Sequence, residues 1–182
     1  MNKLEQLLSQ YAAYHLDRKN VITHFIGIPL IVFSIICLTA RVGIVVSMYE
    51  LTFASLVLTL TILYYLRLDL IFAAIMAIIF VAVYPFAYAI AQLPMTSWLG
   101  WSIGIFVVGW VFQFIGHFYE KKKPAFMDDL IGLAIGPLFV LAELVFLLGF
   151  RKELEQKMLN QAHLLRQKMD EKSKFSGHTL EL

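Results

Sequence analysis

Five ionisable side chains border or interrupt the long apolar stretches of this sequence. His24, His117 and Glu143 lie inside or at the ends of these stretches, Glu120 closely follows His117, and His15 lies a short distance upstream. An ionisable side chain at membrane depth is costly, so each of them is a candidate for a functional site. Three histidines with nearby carboxylates at the ends of hydrophobic segments therefore indicate a metal centre at a membrane surface.

The spacing of these residues predicts which of them can meet. His117 and Glu120 are three residues apart and share one face of a helix. His15 and His24 are nine residues apart, which corresponds to roughly 900° of helical rotation and to opposite faces of an unbroken helix. These two histidines can converge only if the chain bends between them, and we predict that bend at residues 17–20.

The types of donor narrow the choice of metal and leave alternatives open. Imidazoles with one carboxylate suit non-haem iron(II), which keeps open positions for oxygen and an oxygen-donor substrate. Zinc accepts the same ligands, and a lone interfacial histidine more commonly serves packing or anchoring. Glu120 is predicted to be either a direct ligand or an ion-pair partner of the lysines beside it. Glu143 is predicted either to accept the free N–H of a ligating histidine or to bind the metal itself.

Composition indicates an integral membrane protein. The chain has 182 residues, of which 60% are hydrophobic and 15% are charged, and its mean hydropathy is +0.75. A soluble domain has about 25% charged residues. A net charge of +2 without a basic-aromatic strip argues against nucleic-acid binding. Cys37 is the one cysteine, so a disulfide framework is excluded.

The hydropathy pattern predicts an all-α, polytopic membrane helix bundle with four to five hydrophobic segments. An amphipathic interfacial helix precedes them, and a charged helix and tail follow them. We expect residues 1–150 to form the membrane-embedded catalytic domain and residues 151–182 to form the charged C-terminal helix and tail. The predicted segments, each near the roughly 20 residues that cross a bilayer, are 22–40, 50–66, 70–91, 97–118 and 129–150.

Basic residues predict the orientation of these segments. Lysines and arginines cluster before segment one, after segment two and at Lys121-Lys122-Lys123 after segment four, which marks that side as cytosolic. Five full spans would put Arg151 and Lys152 on the opposite side. Two arrangements remain open: five full spans with the tail outside, or one segment that enters and leaves on the cytosolic side. Gly27-Ile28-Pro29 and Gly136-Pro137 are predicted to break segments one and five, which makes these the candidates, and we favour a cytosolic tail.

Several short motifs surround the candidate ligands and extend over about residues 11–151. They are Tyr14-His15, Lys19-Asn20-Val21, His24, Pro29, Gly109-Trp110-Val111-Phe112-Gln113-Phe114-Ile115-Gly116-His117, Glu120-Lys121, Pro124-Ala125, Asp129-Leu130, Gly136-Pro137, Glu143 and Leu148-Gly149-Phe150. This set resembles the membrane 2-hydroxy fatty acid dioxygenase family, which has yeast and bacterial members. The block that ends at His117 is the most specific part, and residues 41–95 match only in hydrophobicity.

The resemblance implies an Fe(II)-dependent α-oxidation, in which a long-chain 2-hydroxy fatty acid and O2 give the acid one carbon shorter. The substrate tail would lie among the apolar helices, in a lipid bilayer that is the bacterial inner membrane or, in a eukaryote, the endoplasmic reticulum. The site would lie near the cytosolic face. In this interpretation the metal ligands are His15, His24, His117 and Glu120, the catalytic carboxylate is Glu143, and the substrate-binding residues are Asn20 and Gln113.

Two other classes of protein would use the same histidines. A zinc-dependent membrane lipid hydrolase would bind zinc with them, whereas a non-catalytic transport or assembly protein would use them for packing or proton relay. The metal content of the purified protein distinguishes the three hypotheses, because they predict iron, zinc and no metal.

Overall fold

A computed structural model describes the backbone of residues 1–46, 49–122 and 131–178, and the side chains of residues 1–45, 50–122 and 131–172. Lys123 and the motifs Pro124-Ala125 and Asp129-Leu130 lie outside the described residues. Within these ranges the chain forms seven helices and one antiparallel hairpin. In chain order the elements are α1 (Lys3–Ala12), α2 (Arg18–Thr39), β1 (Gly43–Val46), β2 (Tyr49–Thr52), α3 (Phe53–Leu66), α4 (Leu70–Ala91), α5 (Met95–Glu120), α6 (Ile131–Leu147) and α7 (Lys152–His178).

The helices confirm the predicted membrane bundle. Helices α2, α4 and α5 are long and apolar enough to cross a bilayer, while α3 and α6 are apolar but shorter. The outward faces of the long helices are also apolar: Ile78, Val81 and Phe86 on α4 are 69%, 74% and 70% exposed. Such a surface is stable in lipid and not in water.

Segment two differs from its prediction at its start. Residues 50–52 belong to β2, which pairs with β1, and α3 begins only at Phe53, where the Thr52 side chain caps it. The Thr52 hydroxyl accepts the Ser55 N–H at 3.1 Å, and this N-cap favours the start of a helix at Phe53 and thus the end of β2.

Helix α1 is the predicted amphipathic helix at the N-terminus. Asn2 and Glu5 form a reciprocal capping box, with both side-chain to backbone hydrogen bonds at 2.8 Å. The apolar side of α1 is buried, with Leu4 and Leu8 at 2% and 0% exposure. This helix packs along α7 and against α6, so the charged tail helix covers the start of the chain.

Helices α2 and α5 form the central antiparallel pair. A Cβ atom added to Gly109 would lie only 2.9 Å from the carbonyl oxygen of Gly27 and 2.7 Å from Cγ1 of Ile31. Glycine at this position therefore lets the two backbones approach closely, as small residues do between membrane helices.

The predicted breaks at two prolines are wrong. Helix α2 continues through Pro29 and α6 continues through Pro137. A proline removes one N–H from the helical ladder, but a helix in lipid keeps its other backbone bonds because no water competes for them.

Helix α6 nevertheless has both of its ends near one side of the bundle. Gly132, near its first residue, shares a cavity with His117 at the end of α5. Arg151, just beyond its last residue, donates to Asp69 in the α3–α4 turn at 2.6 Å. Since that turn and the end of α5 lie on one side of the bundle, the tail lies there too, as the distribution of basic residues predicts.

Candidate metal centre

Three histidines meet at one end of the bundle. The candidate donor atoms of His15, His24 and His117 all lie within 4.8 Å of one another. His24 is completely buried, and His15 and His117 are 3% and 7% exposed. The structure thus brings together the three imidazoles that the sequence analysis selected.

The junction between α1 and α2 supplies two of these side chains. Residues 13–17 are not helical, so the chain bends slightly earlier than predicted, and His15 lies inside the bend. The Asp17 carboxylate accepts the Lys19 N–H at 2.7 Å and starts α2. The bend turns His15 back towards His24, which lies near the start of the new helix.

Gly116 brings the third histidine to the other two. A Cβ atom at this position would lie 2.4 Å from Oδ1 of Asn20 and 2.2 Å from Oγ1 of Thr23. Real Cβ atoms do not approach so closely, so a larger residue would displace the Asn20 and Thr23 side chains, and its Cβ would also lie only 3.3 Å from Cα of Asn20. The close approach places His117 beside His24, with ring centroids 5.1 Å apart.

Hydrogen bonds fix the tautomers of His15 and His24. Nδ1 of His15 lies 2.6 Å from the Tyr11 carbonyl oxygen, and Nδ1 of His24 lies 2.8 Å from the Asn20 carbonyl oxygen. A carbonyl oxygen only accepts, so each Nδ1 carries the proton and each neutral ring has a lone pair on Nε2.

The two Nε2 atoms face each other at 3.0 Å. Two lone pairs at this distance repel unless a cation or a proton lies between them. Burial lowers the pKa of His15 well below its usual range, and His24 acts in the same direction, so protonation of this ring is unfavourable. A metal cation is therefore the better bridge.

The facing pair of imidazoles fits a first-row divalent metal. Two nitrogens on one ion at 2.0–2.1 Å lie at most about 4 Å apart, so one ion can contact both Nε2 atoms, which are 3.0 Å apart. Nδ1 of His117 is also buried and has no hydrogen-bond partner among the described residues. The backbone carbonyls on His15 and His24 orient the rings, as partners of metal-binding histidines usually do.

Aromatic rings form one wall of this site. The Tyr11 ring stacks on His15 with centroids 4.2 Å apart and an interplanar angle of 5°. Phe139 of α6 packs on the same imidazole at 5.6 Å. The sequence analysis missed Tyr11, because His15 lies in the non-helical bend after α1 and helical spacing does not predict contacts there.

Glu120 lies outside the group of histidine donors. Its Oε2 accepts the Asp17 N–H at 2.8 Å and Nδ2 of Asn20 at 3.1 Å, and its Oε1 accepts Nη1 of Arg166 at 2.8 Å. With both oxygens engaged, Glu120 is an ion-pair partner instead of one of the candidate ligands in the histidine group.

Arg166 is the cation that the buried Glu120 requires, and the sequence analysis missed it in favour of the adjacent lysines. The Glu120 side chain is 1% exposed and that of Arg166 is 17% exposed. Arg166 also donates to the Ala13 carbonyl oxygen at 2.6 Å. It therefore ties α7 to both the α1–α2 junction and the end of α5, around the histidines.

Glu143 is predicted to accept a hydrogen bond from a ligating histidine. His15 and His24 do not make this bond, because each donates its Nδ1 proton to a backbone carbonyl oxygen. Glu143 is half-buried on α6, and its electrostatic neighbours are Lys152 and Glu155. A local carbonyl four residues upstream reaches each of these two rings first, so the role predicted for Glu143, as acceptor for a ligating histidine or as a ligand itself, stays a prediction.

Asn20 and Gln113, the two predicted substrate-binding residues, have different surroundings. Asn20 is fully buried, and its Nδ2 donates to Glu120 and to the Tyr14 carbonyl oxygen. Its backbone carbonyl orients His24, while its side-chain Oδ1 has no hydrogen-bond partner among the described residues, so its predicted role in substrate binding stays a prediction. Gln113 is 6% exposed, and its Nε2 has no partner among the described residues.

A cavity of about 410 Å³ lies beyond Tyr11, between α1, α6 and α7, and a second of about 210 Å³ reaches the histidines. The second cavity lies between α2, α5 and α6. Its lining residues are Tyr11, Ile28, Ile31, Val32, Ile35, Phe106, Trp110, Gln113, His117, Gly132, Leu133, Gly136 and Pro137.

This fold and site define a polytopic helical membrane protein with a buried three-histidine cluster. The family model described as 2-hydroxy-palmitic acid dioxygenase Mpo1-like matches residues 1–148, and the chain belongs to this family. The 2-hydroxy-palmitic acid dioxygenase MPO1 of Saccharomyces cerevisiae is 33% identical over 156 residues, which cover 84% of this chain and 85% of the yeast protein. No solved structure matches the chain significantly.

Proposed function

We propose that this protein is an Fe(II)-dependent dioxygenase that shortens long-chain 2-hydroxy fatty acids by one carbon. The observation that carries this proposal is the pair of facing Nε2 lone pairs on His15 and His24, beside His117. Membership of the Mpo1-like family supports the substrate class, because its yeast member is named for 2-hydroxy-palmitic acid.

The proposed reaction balances without another reductant. A 2-hydroxy acid and one O2 give the chain-shortened acid, CO2 and water: the C1–C2 bond breaks, C1 leaves as CO2, and C2 is oxidised from an alcohol to a carboxylic acid. The electrons that the two carbons lose reduce the oxygen molecule. Iron(II) held by three imidazoles supplies the redox chemistry and the open positions that such a reaction needs.

The chain itself holds and orients the reacting groups. The carbonyls of Tyr11 and Asn20 keep His15 and His24 in the tautomer that presents Nε2. The buried Glu120–Arg166 pair fixes the junction that carries these rings. Tyr11 and Phe139 exclude water from one side of His15, which favours a dry pocket for an apolar substrate.

We place the site at the cytosolic face of a bacterial inner membrane or of the endoplasmic reticulum. The side of the bundle that carries the histidines also carries Arg18, Lys19, Lys121 and Arg151 near the helix ends. Basic residues in short loops favour the cytosolic side.

Anaerobic purification in detergent tests the proposal. We expect about one iron per chain, oxygen consumption on 2-hydroxypalmitate, and a product acid one carbon shorter. Full occupancy by zinc together with hydrolysis of a lipid would instead support the zinc-dependent hydrolase. A purified protein that contains no metal and shows transport activity would support the non-catalytic alternative. Palmitate, which lacks the 2-hydroxyl, is the control substrate and should give no oxygen consumption.

A further inference from the structure

The cavity that reaches His117 is an open groove between α5 and α6, with α2 as its base. Two residues of its rim, Ile35 of α2 and Leu133 of α6, are 40% and 52% exposed. They belong to the apolar outer surface that lies in the bilayer. The groove therefore opens sideways into lipid, and a membrane-dissolved molecule can reach it without passing through water.

Two antiparallel rows of side chains line this groove. Helix α5 contributes Phe106, Trp110, Gln113 and His117 at alternating spacings of four and three residues, which keeps them on one face. At 1.5 Å per residue, the row from His117 to Phe106 is about 16 Å long. Helix α2 runs antiparallel to α5 and contributes Ile28, Ile31 and Ile35 to the base of the groove. The groove is thus long, narrow and apolar, with its metal-binding end at His117.

Gln113 is the polar residue next to His117 in this mainly apolar lining, and its Nε2 lies beside Gly27 of α2, where an added Cβ would be 2.4 Å away. Its side chain is 6% exposed, and its Nε2 has no hydrogen-bond partner among the described residues. A buried N–H without a partner costs roughly 1–3 kcal/mol, so a ligand oxygen would remove this cost. Gln113 lies one helical turn from His117, at the boundary between the polar and apolar parts of the groove.

We infer that this groove holds the alkyl chain of a 2-hydroxy fatty acid that enters from the bilayer, and that the Gln113 amide binds an oxygen of its head group. The head group, a carboxylate and a hydroxyl, then lies beside His117, and the tail passes Trp110 towards Phe106. This inference rests on the proposed function for the identity of the head group.

A second groove provides the internal comparison. It has a volume of about 290 Å³ and lies between α2, α4 and α6, where Phe33, Phe80 and Val83 contribute to its lining. Its lining contains neither a histidine nor a polar side chain. If binding depended only on apolar contacts, the alkyl chain would bind in this second groove as well. A polar head group favours the first groove, because Gln113 and His117 line it.

Photo-cross-linking tests the location directly. A 2-hydroxy fatty acid with a diazirine at the end of its tail is bound to the full-length holoprotein in nanodiscs without oxygen, irradiated, and mapped by mass spectrometry. We expect labels at Phe106, Trp110 or Ile35, which line the end of the groove away from His117. Labels confined to Phe33, Phe80 and Val83, or spread evenly over the lipid-facing surface, would overturn the inference.

Gln113→Met tests the head-group contact. The variant keeps the length of the side chain and removes the amide, so the concentration of unlabelled 2-hydroxypalmitate that suppresses labelling should rise roughly 10- to 100-fold. Gln92→Met, at the exposed C-terminal cap of α4, is the matched control and should leave that concentration unchanged. Iron content should stay the same in both variants, and unchanged competition in Gln113→Met would exclude the amide contact.

Phe106→Trp tests the direction of the chain. A larger ring at the far end should shift the preferred substrate towards shorter 2-hydroxy acids, while Phe86→Trp, which faces outward at 70% exposure, should leave the preference unchanged. An unaltered preference in Phe106→Trp would place the tail elsewhere.

These experiments separate the two proposals. Specific labelling of the groove without oxygen-dependent turnover would refute the proposed function and retain the groove as a fatty-acid site. Turnover with labels outside the groove would retain the function and refute the groove.

Discussion

Nε2 of His15 faces Nε2 of His24 at 3.0 Å, while Nδ1 of each ring is held by a backbone carbonyl. Both rings therefore present lone pairs to the same point. The two backbone hydrogen bonds explain why the rings have this orientation. Among the described residues they do not relieve the repulsion between the two lone pairs, which a bound cation would offset. The case for a metal site therefore rests on the orientation of the rings as well as on the presence of three histidines in the sequence.

Removal of any one ring should therefore remove most of the bound iron. We expect His15→Ala, His24→Ala and His117→Ala each to lose most iron and all oxygen consumption, while each protein remains folded in detergent. His163→Ala, at an exposed position on α7, is the matched control. Metal analysis by mass spectrometry measures the outcome, and full iron occupancy in the three site variants would refute a shared centre.

Glu143→Gln should have little effect on iron affinity. The protons on Nδ1 of His15 and His24 already have backbone acceptors, and Glu143 faces Lys152 and Glu155. Titration of the apoprotein with iron(II) in the absence of oxygen measures this affinity. A loss of 10-fold or more, the size expected for a carboxylate that orients a ligand, would show that Glu143 acts on the site through His117.

The sequence predicts the histidine cluster better than the surroundings of that cluster. Residue type and hydropathy indicate that His15 and His24 need a bend between them, and the bend follows from the capping preference of Asp17. Polarity marks Glu143 as unusual but does not show which direction its side chain takes on α6. Arg166 lies in a charged tail helix with no local pattern that joins it to Glu120. Such pairings depend on how separate helices pack, which a single sequence does not encode locally.

The buried ion pair between Glu120 and Arg166 should contribute strongly to stability. Loss of one partner from a buried pair costs about 3–5 kcal/mol, because the other charge is left without compensation. We therefore expect Arg166→Met and Glu120→Gln each to lower the thermal midpoint in detergent. The double variant should recover part of the loss, because neither charge then remains unpaired.

Lys157→Met provides the control for this comparison. Lys157 pairs with the exposed Glu153 at 2.7 Å and more loosely with Glu5 of α1 at 3.8 Å. Its own side chain is about half exposed, and surface pairs of this kind contribute little. Its midpoint should not change measurably. If Arg166→Met is equally silent, the contact with Glu120 does not stabilise the junction of α1, α2 and α5.

Accessibility should divide the protein into two sides. Single cysteines at Gln10 and Asn160, which are exposed on α1 and α7, should react from the same side of sealed vesicles. A cysteine at Val45 in β1, which is 76% exposed, should react from the other side. The experiment requires replacement of the buried Cys37 and a membrane-impermeant thiol reagent. Reaction of Gln10→Cys and Asn160→Cys from opposite sides would mean that α6 crosses the bilayer.

Gly116→Ala should damage the site without removal of any polar group. The added Cβ would lie 2.4 Å from Oδ1 of Asn20 and 2.2 Å from Oγ1 of Thr23, so these two side chains must shift. Asn20 holds His24 through its carbonyl oxygen, so the shift should disturb the arrangement of the histidines. We expect a lower thermal midpoint and reduced iron content. Gly104→Ala on the same helix meets nothing within 4 Å and should be neutral or stabilising by up to about 1 kcal/mol through helix propensity. Equal midpoints and equal iron content in the two variants would show that close contact at Gly116 does not hold the histidines together.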